Sequence, residues 1–148
     1  MSDYIVKIVP QNPLCKISEF ALAKAKDFLE SRLLCDSIQI EKYDTPAFVD
    51  CGSNLESIEC PECGADLDLG WWSEAMDAAH EKNFVSPEME LPCCGRTASL
   101  NNLKYHPPCA FACCVIEILN PKHDIEKGIS DYIQKLLCTE IHIIKAHI

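Results

Sequence analysis

Hydrophobic and polar positions alternate with clear periods at both ends of the chain, and the two ends predict one fold. Tyr4-Ile5-Val6-Lys7-Ile8-Val9 is short, rich in β-branched residues and stopped by Pro10, so it reads as a strand. A helix follows from Ser18, a good N-cap, to about Leu34. Ala21, Leu22, Ala25, Phe28, Leu29 and Leu33 fall on one side at the 3.6-residue period, opposite Lys24, Asp27, Glu30 and Ser31. Ser37 to Tyr43 alternates polar and apolar residues as a half-buried strand does, and Asp44-Thr45-Pro46 should break it before a brief extended piece at Ala47-Phe48-Val49.

Near the other end, Phe111 to Leu119 is almost continuously apolar, the pattern of a strand covered on both faces. Asn120-Pro121 turns the chain. A helix is then expected from about Asp124 to Cys138, with Ile125, Ile129, Tyr132, Ile133, Leu136 and Leu137 on one stripe. Glu140 to His147 closes as a strand. The order strand, helix, strand, strand, helix, strand is that of an α+β, ferredoxin-like βαββαβ core, an antiparallel sheet with two helices on one face. Residues 1–49 and 109–148 form this core, and residues 50–108 form an insertion between its second and third strands. A less regular α+β domain, with Met89 to Leu91 joining the main sheet, is the rival arrangement.

The middle section, opening at Asp50-Cys51-Gly52-Ser53-Asn54, has a different texture. Trp71 to Glu81, after Gly70, reads as a helix with Trp72, Met76 and Ala79 on one face. Met89-Glu90-Leu91 reads as a short strand, and Thr97 to Leu103 as one helical turn. Tyr105-His106-Pro107-Pro108 is a rigid exit, because each proline fixes its own φ and restricts the residue before it. Adjacent helical residues point about 100° apart, so one of Trp71 and Trp72 can pack inward while the other lies at the surface. The expected role of the pair is to cover the small core of the insertion.

Two punctuated stretches carry the candidate chemistry: Cys60-Pro61-Glu62-Cys63-Gly64 and Leu91-Pro92-Cys93-Cys94-Gly95. A C-x-x-C turn closed by glycine can aim backbone N–H groups at a metal-bound thiolate. Cys60, Cys63, Cys93 and Cys94 are thus the expected ligands of a structural Zn2+. Adjacent cysteines must bend the chain sharply to share one ion, so His80, Cys51 and Cys109 stand as possible replacements for one of the second pair. Thioredoxin-like redox chemistry would need a helix opening at the motif, and here Gly64 follows at once. Catalytic zinc would need an open coordination position and a carboxylate base. Glu62, Asp66 and Glu74 have the right type, but acidic residues are common throughout this section. No G-x-x-x-x-G-K-[ST] or G-x-G-x-x-G phosphate loop occurs.

Charge sharpens the picture. Of the net −10, residues 50–108 carry −8, with 11 acidic side chains against Lys82, Arg96 and Lys104, while residues 1–49 and 109–148 carry −1 each. Four thiolates around one divalent ion would add a further −2. Nucleic-acid binding needs lysine and arginine to displace condensed counterions, so this field argues against it and favours a protein partner, a basic one being compatible with it.

Eleven cysteines in 148 residues would suggest disulfides in a secreted chain, but the count is odd and the N-terminus has no export-signal pattern. The expectation is a cytoplasmic protein with reduced thiols. Cys15, Cys35, Cys113, Cys114 and Cys138 should pack as small hydrophobes. The five histidines are scattered, and no apolar run approaches the ~20 residues that span a bilayer.

C-P-E-C-G, G-W-W-S-E-A-M-D, L-P-C-C-G-R-T-A-S-L-N-N-L and the closing I-K-A-H-I together resemble a family of small uncharacterised bacterial proteins. Those proteins carry C-P-x-C-G, a tryptophan pair and P-C-C-G in the same order over nearly the whole chain. The resemblance implies a shared fold and cysteine framework. Some of these proteins carry a sugar-transporter ATPase label, which the missing phosphate loop does not support. Where they commonly read Y-D-W-P, this chain has Tyr105-His106-Pro107-Pro108.

Overall fold

The computed structural model describes residues 3–51, 55–84 and 88–147, and the Gly52-Ser53-Asn54 part of the expected opening of the middle section lies outside them. In chain order the elements are β1 (Tyr4–Pro10), α1 (Glu19–Arg32), β2 (Ser37–Val49), β3 (Ser57–Glu59), α2 (Leu69–Glu81), β4 (Glu88–Glu90), β5 (Thr97–Ser99), a 3-10 turn (Leu100–Asn102), β6 (Lys104–His106), β7 (Ala110–Leu119), α3 (Lys127–Leu137) and β8 (Ile141–His147). The protein is α+β. Its main sheet has the strand order β2-β7-β1-β8, and every neighbouring pair is antiparallel. β1 and β2 therefore run in the same direction with β7 between them.

Alternation along the strands decides where the helices go. Val6 and Ile8 of β1, Ile38 of β2, and Cys114, Ile116 and Ile118 of β7 project to one face. There they meet Leu22, Ala25 and Leu29 of α1 and Ile133 and Leu137 of α3 in one buried cluster. The helices also touch each other, with the Phe28 and Tyr132 rings 4.4 Å apart. Ser18 starts α1 as the sequence predicts, its hydroxyl accepting the Ala21 N–H at 3.1 Å. β7 is buried from Ala110 through Ile116, as expected of a strand with neighbours on both edges.

Several boundaries differ from the sequence expectation, each for a local reason. β2 does not stop at Asp44-Thr45-Pro46. It lies at a sheet edge, and its register with β7 slips between Lys42 and Ala47, so Pro46 sits in an irregularity where no ladder N–H is needed. Thr97 to Leu103 is not one helical turn, because Thr97–Ser99 pairs with β4 and only Leu100–Asn102 coils. The rival arrangement is not observed: the strand around Met89 pairs with β5 and stays outside the main sheet. α3 begins three residues later than expected, although Ile125 still packs on the main cluster. Cys138 ends that helix in a left-handed conformation at φ 57° and is exposed, so it is not the core residue expected.

Between β2 and β7 the chain forms two small ladders, β3 with β6 and β4 with β5, and helix α2. The Asp68 carboxylate caps α2 by accepting the Trp71 N–H at 3.0 Å, which starts the helix at Leu69, ahead of Gly70. Ile58, Leu67, Ala75, Ala79, Leu91 and Leu100 are buried in a second cluster, which Phe111 of β7 joins. Trp71 and Trp72 are both half-buried against this cluster, in line with the covering role expected of them. Among the described residues no helix is long and apolar enough to cross a membrane.

Tyr105 is the polar pin of the second cluster. Its buried hydroxyl donates to the Leu100 carbonyl at 2.6 Å and accepts the Trp72 Nε1–H at 3.2 Å, and burial pushes its pKa well above the usual phenol value. Tyr105→Phe should lower stability to urea by ~1–3 kcal/mol, because it strands one buried acceptor and one donor. An unfolding midpoint equal to that of the wild type would show that both groups find other partners.

Candidate metal centre

The two punctuated stretches fold into matching turns. In the first, the Cys60 N–H bonds the Ala65 carbonyl at 2.8 Å and the Gly64 N–H returns to the Cys60 carbonyl at 3.0 Å. In the second, the Leu91 N–H bonds the Arg96 carbonyl at 2.8 Å and the Gly95 N–H returns to Leu91 at 2.9 Å. Gly64 and Gly95 have φ of 77° and 73°, a region that side-chain-bearing residues rarely adopt, so each knuckle closes on a glycine. β3 delivers the first knuckle and β4 the second.

These turns bring Cys60, Cys63, Cys93 and Cys94 together, with their four sulfurs all within 4.8 Å of one another. The Cys63 and Cys93 sulfurs lie 3.4 Å apart and those of Cys60 and Cys94 3.9 Å apart. A tetrahedron with metal–sulfur bonds of about 2.3 Å has sulfur–sulfur edges of about 3.8 Å, so the cluster has the dimensions of a four-thiolate site and can hold a metal ion. Both members of the adjacent pair reach the cluster, because the second knuckle turns sharply at Cys93 and Cys94.

The three possible replacement ligands lie elsewhere. The Cys51 and Cys109 sulfurs meet each other at 3.3 Å beside the Pro107 carbonyl, and burial pushes the Cys109 thiol up to about 12. His80 stands edge-on to the Phe84 ring at 5.6 Å. Among the described residues no other group of three or more histidine, cysteine or acidic side chains has the geometry of a metal site.

Electrostatics distinguish Cys60 from Cys93. Burial raises the Cys60 thiol, but the N–H groups of Cys63 and Glu62, at 3.4 and 3.3 Å from its sulfur, together with neighbouring thiols bring it down to about 6. Loss of solvent around its sulfur, contacts with the other three thiols and the charge on Cys60 push Cys93 up to about 12. A metal must therefore displace at least one thiol proton, the one on Cys93. Apparent affinity should rise at least about tenfold per pH unit between roughly pH 6 and 9. Competition with a chromophoric chelator measures that slope, and a flat profile would contradict thiolate ligation.

One contact at the site has no signature in spacing or periodicity. The Arg96 guanidinium meets the Glu62 carboxylate at 3.3 Å and ties one knuckle to the other. Both side chains are well exposed, so the pair contributes little to stability. The chain matches no protein-family model, and no curated protein and no solved structure is significantly similar to it.

Proposed function

We propose that this protein is a zinc-stabilised protein-interaction module, an adaptor or an immunity-type neutraliser, whose metal is structural. The closed set of four sulfurs is the observation that carries the reading. Such soft, tetrahedral donor sets suit zinc, and a full protein shell leaves no position for a substrate or a reactive water. The residues around the centre support a basic protein partner. Glu62, Asp66, Asp68, Glu74, Asp77, Glu81, Glu88 and Glu90 are all exposed on the stretch that bears the knuckles, and opposite charge steers association and selects partners.

We read the fold as ferredoxin-like, with the metal-bearing segment inserted between the second and third core strands. The order of elements, the alternating strand directions and the shared face of α1 and α3 support that reading. Cytoplasmic residence fits eleven cysteines that form no disulfide.

Affinity capture from lysate, performed at low and at high salt and repeated after metal chelation, tests the function. A specific partner should be retained at low salt and lost in both other conditions. Recovery of nothing specific at either salt concentration would count decisively against an interaction module. Metal analysis should return one zinc per chain.

A further inference from the structure

The chain leaves β2 and enters β7 beside two cysteines that the candidate metal centre does not use. Cys51 lies just past the end of β2 and Cys109 just before the start of β7. Their sulfurs are 3.3 Å apart, with the Cys109 thiol donating to Cys51. Among the described residues this is the one hydrogen-bonded thiol pair outside the four-cysteine cluster. Cys113, by contrast, donates to the Pro13 carbonyl at 3.4 Å.

The backbone is held on both sides of the pair. The Lys7 ammonium reaches from β1 to the carbonyl and carboxylate of Asp50, at 3.1 and 3.4 Å, next to Cys51. Pro107 and Pro108 fix their own φ immediately before Cys109. Thiols held in this way act on each other at high effective concentration. A disulfide bond is about 2.05 Å long, so the two sulfurs need to close by only about 1.3 Å. Access to the pair is one-sided. Cys51 is fully buried, whereas Cys109 is half-buried and lines a surface cleft of about 460 Å³ together with Lys104, His106, Pro108 and His142. Burial pushes the Cys109 thiol up to about 12, which keeps its thiolate scarce but does not penalise a neutral disulfide.

We propose that Cys51 and Cys109 are a redox-active pair that closes to a disulfide by exchange with a small aliphatic disulfide entering the cleft, Cys109 being the attacking thiol and Cys51 the resolving one. Cys109, as thiolate, attacks one sulfur of the small disulfide, a mixed disulfide forms and one small thiolate leaves. The Cys51 sulfur then attacks the Cys109 sulfur, the second small thiolate leaves, and the two cysteine protons end on the released thiols. Two cysteine sulfurs are oxidised and the two sulfurs of the small disulfide are reduced. The new bond staples the foot of the knuckle-bearing segment, joining positions 58 apart in sequence. It uses none of the four clustered sulfurs, so it does not depend on the metal reading above.

The test equilibrates the full chain in mildly alkaline glutathione buffers of rising oxidised fraction, quenches with acid, blocks free thiols and maps disulfides by mass spectrometry. In the wild type the bond between Cys51 and Cys109 should exceed the glutathione adduct on Cys109 at least about tenfold. In C51S the adduct should persist on Cys109, and in C109S Cys51 should take up glutathione at least about tenfold more slowly than Cys109 does in C51S. The closed form should revert with dithiothreitol and should resist urea better than the reduced chain, its unfolding constant lowered at least about thirtyfold. No bond between Cys51 and Cys109 at any glutathione ratio, or an unresolved Cys109 adduct accumulating in the wild type, overturns the proposal. Equal uptake by the two single variants overturns the assignment of attacking and resolving thiols, and a closed form no more resistant to urea overturns the staple.

Discussion

Cys60→Ser should empty the metal centre and unfold the segment that surrounds it. Serine keeps the shape but stays protonated and is a poor ligand, and the position is fully buried, so water has little room to replace the lost sulfur. The two N–H groups now aimed at the Cys60 sulfur would face a neutral hydroxyl. Metal binding at structural sulfur-rich sites supplies on the order of 10 kcal/mol of folding energy, several times the ~1–3 kcal/mol attached to any single buried hydrogen bond in the chain. The effect should therefore exceed that of Tyr105→Phe by a wide margin. Metal content should fall well below one per chain. Amide exchange should accelerate in β3, α2 and β4, while β1 and β8, which pair with each other over seven residues away from the knuckles, keep their protection. One retained ion with unchanged exchange would remove the metal from the list of forces that hold this segment together.

The second large effect is expected at Phe111. Its side chain is 1% exposed and lies on the central strand, yet it packs with the cluster of the intervening segment, its ring centroid 5.2 Å from Phe48 and 5.0 Å from Phe84. Phe111→Ala should cost about 3–5 kcal/mol, the usual range for emptying a buried aromatic site. Because the ring joins a strand of the main sheet to Phe84, which lies outside that sheet, the loss should register in probes of both regions. Denaturant unfolding of the single variants Phe111→Ala and Phe84→Ala and of their double would give a coupling well above zero. Additive losses would mean that the rings merely occupy adjacent space.

Much of this architecture could be read from residue pattern, and the limits of that reading have physical causes. The α1 stripe, the apolar run of β7 and the heptad-like face of α3 are long periodic signals, so their elements appear where expected. β3 and β5 are three residues each, too short for any period to show, and Ser57-Ile58-Glu59 was invisible for that reason, whereas β4 was read one residue late, at Met89-Glu90-Leu91. Pro46 looked like a terminator because proline lacks a donor, but the edge position of β2 removes the need for one. The clustering of Cys60, Cys63, Cys93 and Cys94 was legible because spacing and glycine punctuation report knuckle geometry directly. The equivalence of Leu91 with Cys60 was not, since leucine announces burial and gives no hint of the ligand position it occupies.

The last paired residues before and after the knuckle-bearing segment are Val49 and Ala110, opposite each other in the β2 and β7 ladder. The excursion between them starts and finishes at one spot on the sheet, so its ends are already joined once that ladder forms. Closure then depends only weakly on how long the excursion is, with each doubling adding roughly 0.6 kcal/mol. To the sheet, the whole knuckle-bearing stretch is a hairpin turn of unusual length. A lineage could shorten, lengthen or exchange that turn and change what the protein meets without redrawing the layer beneath it.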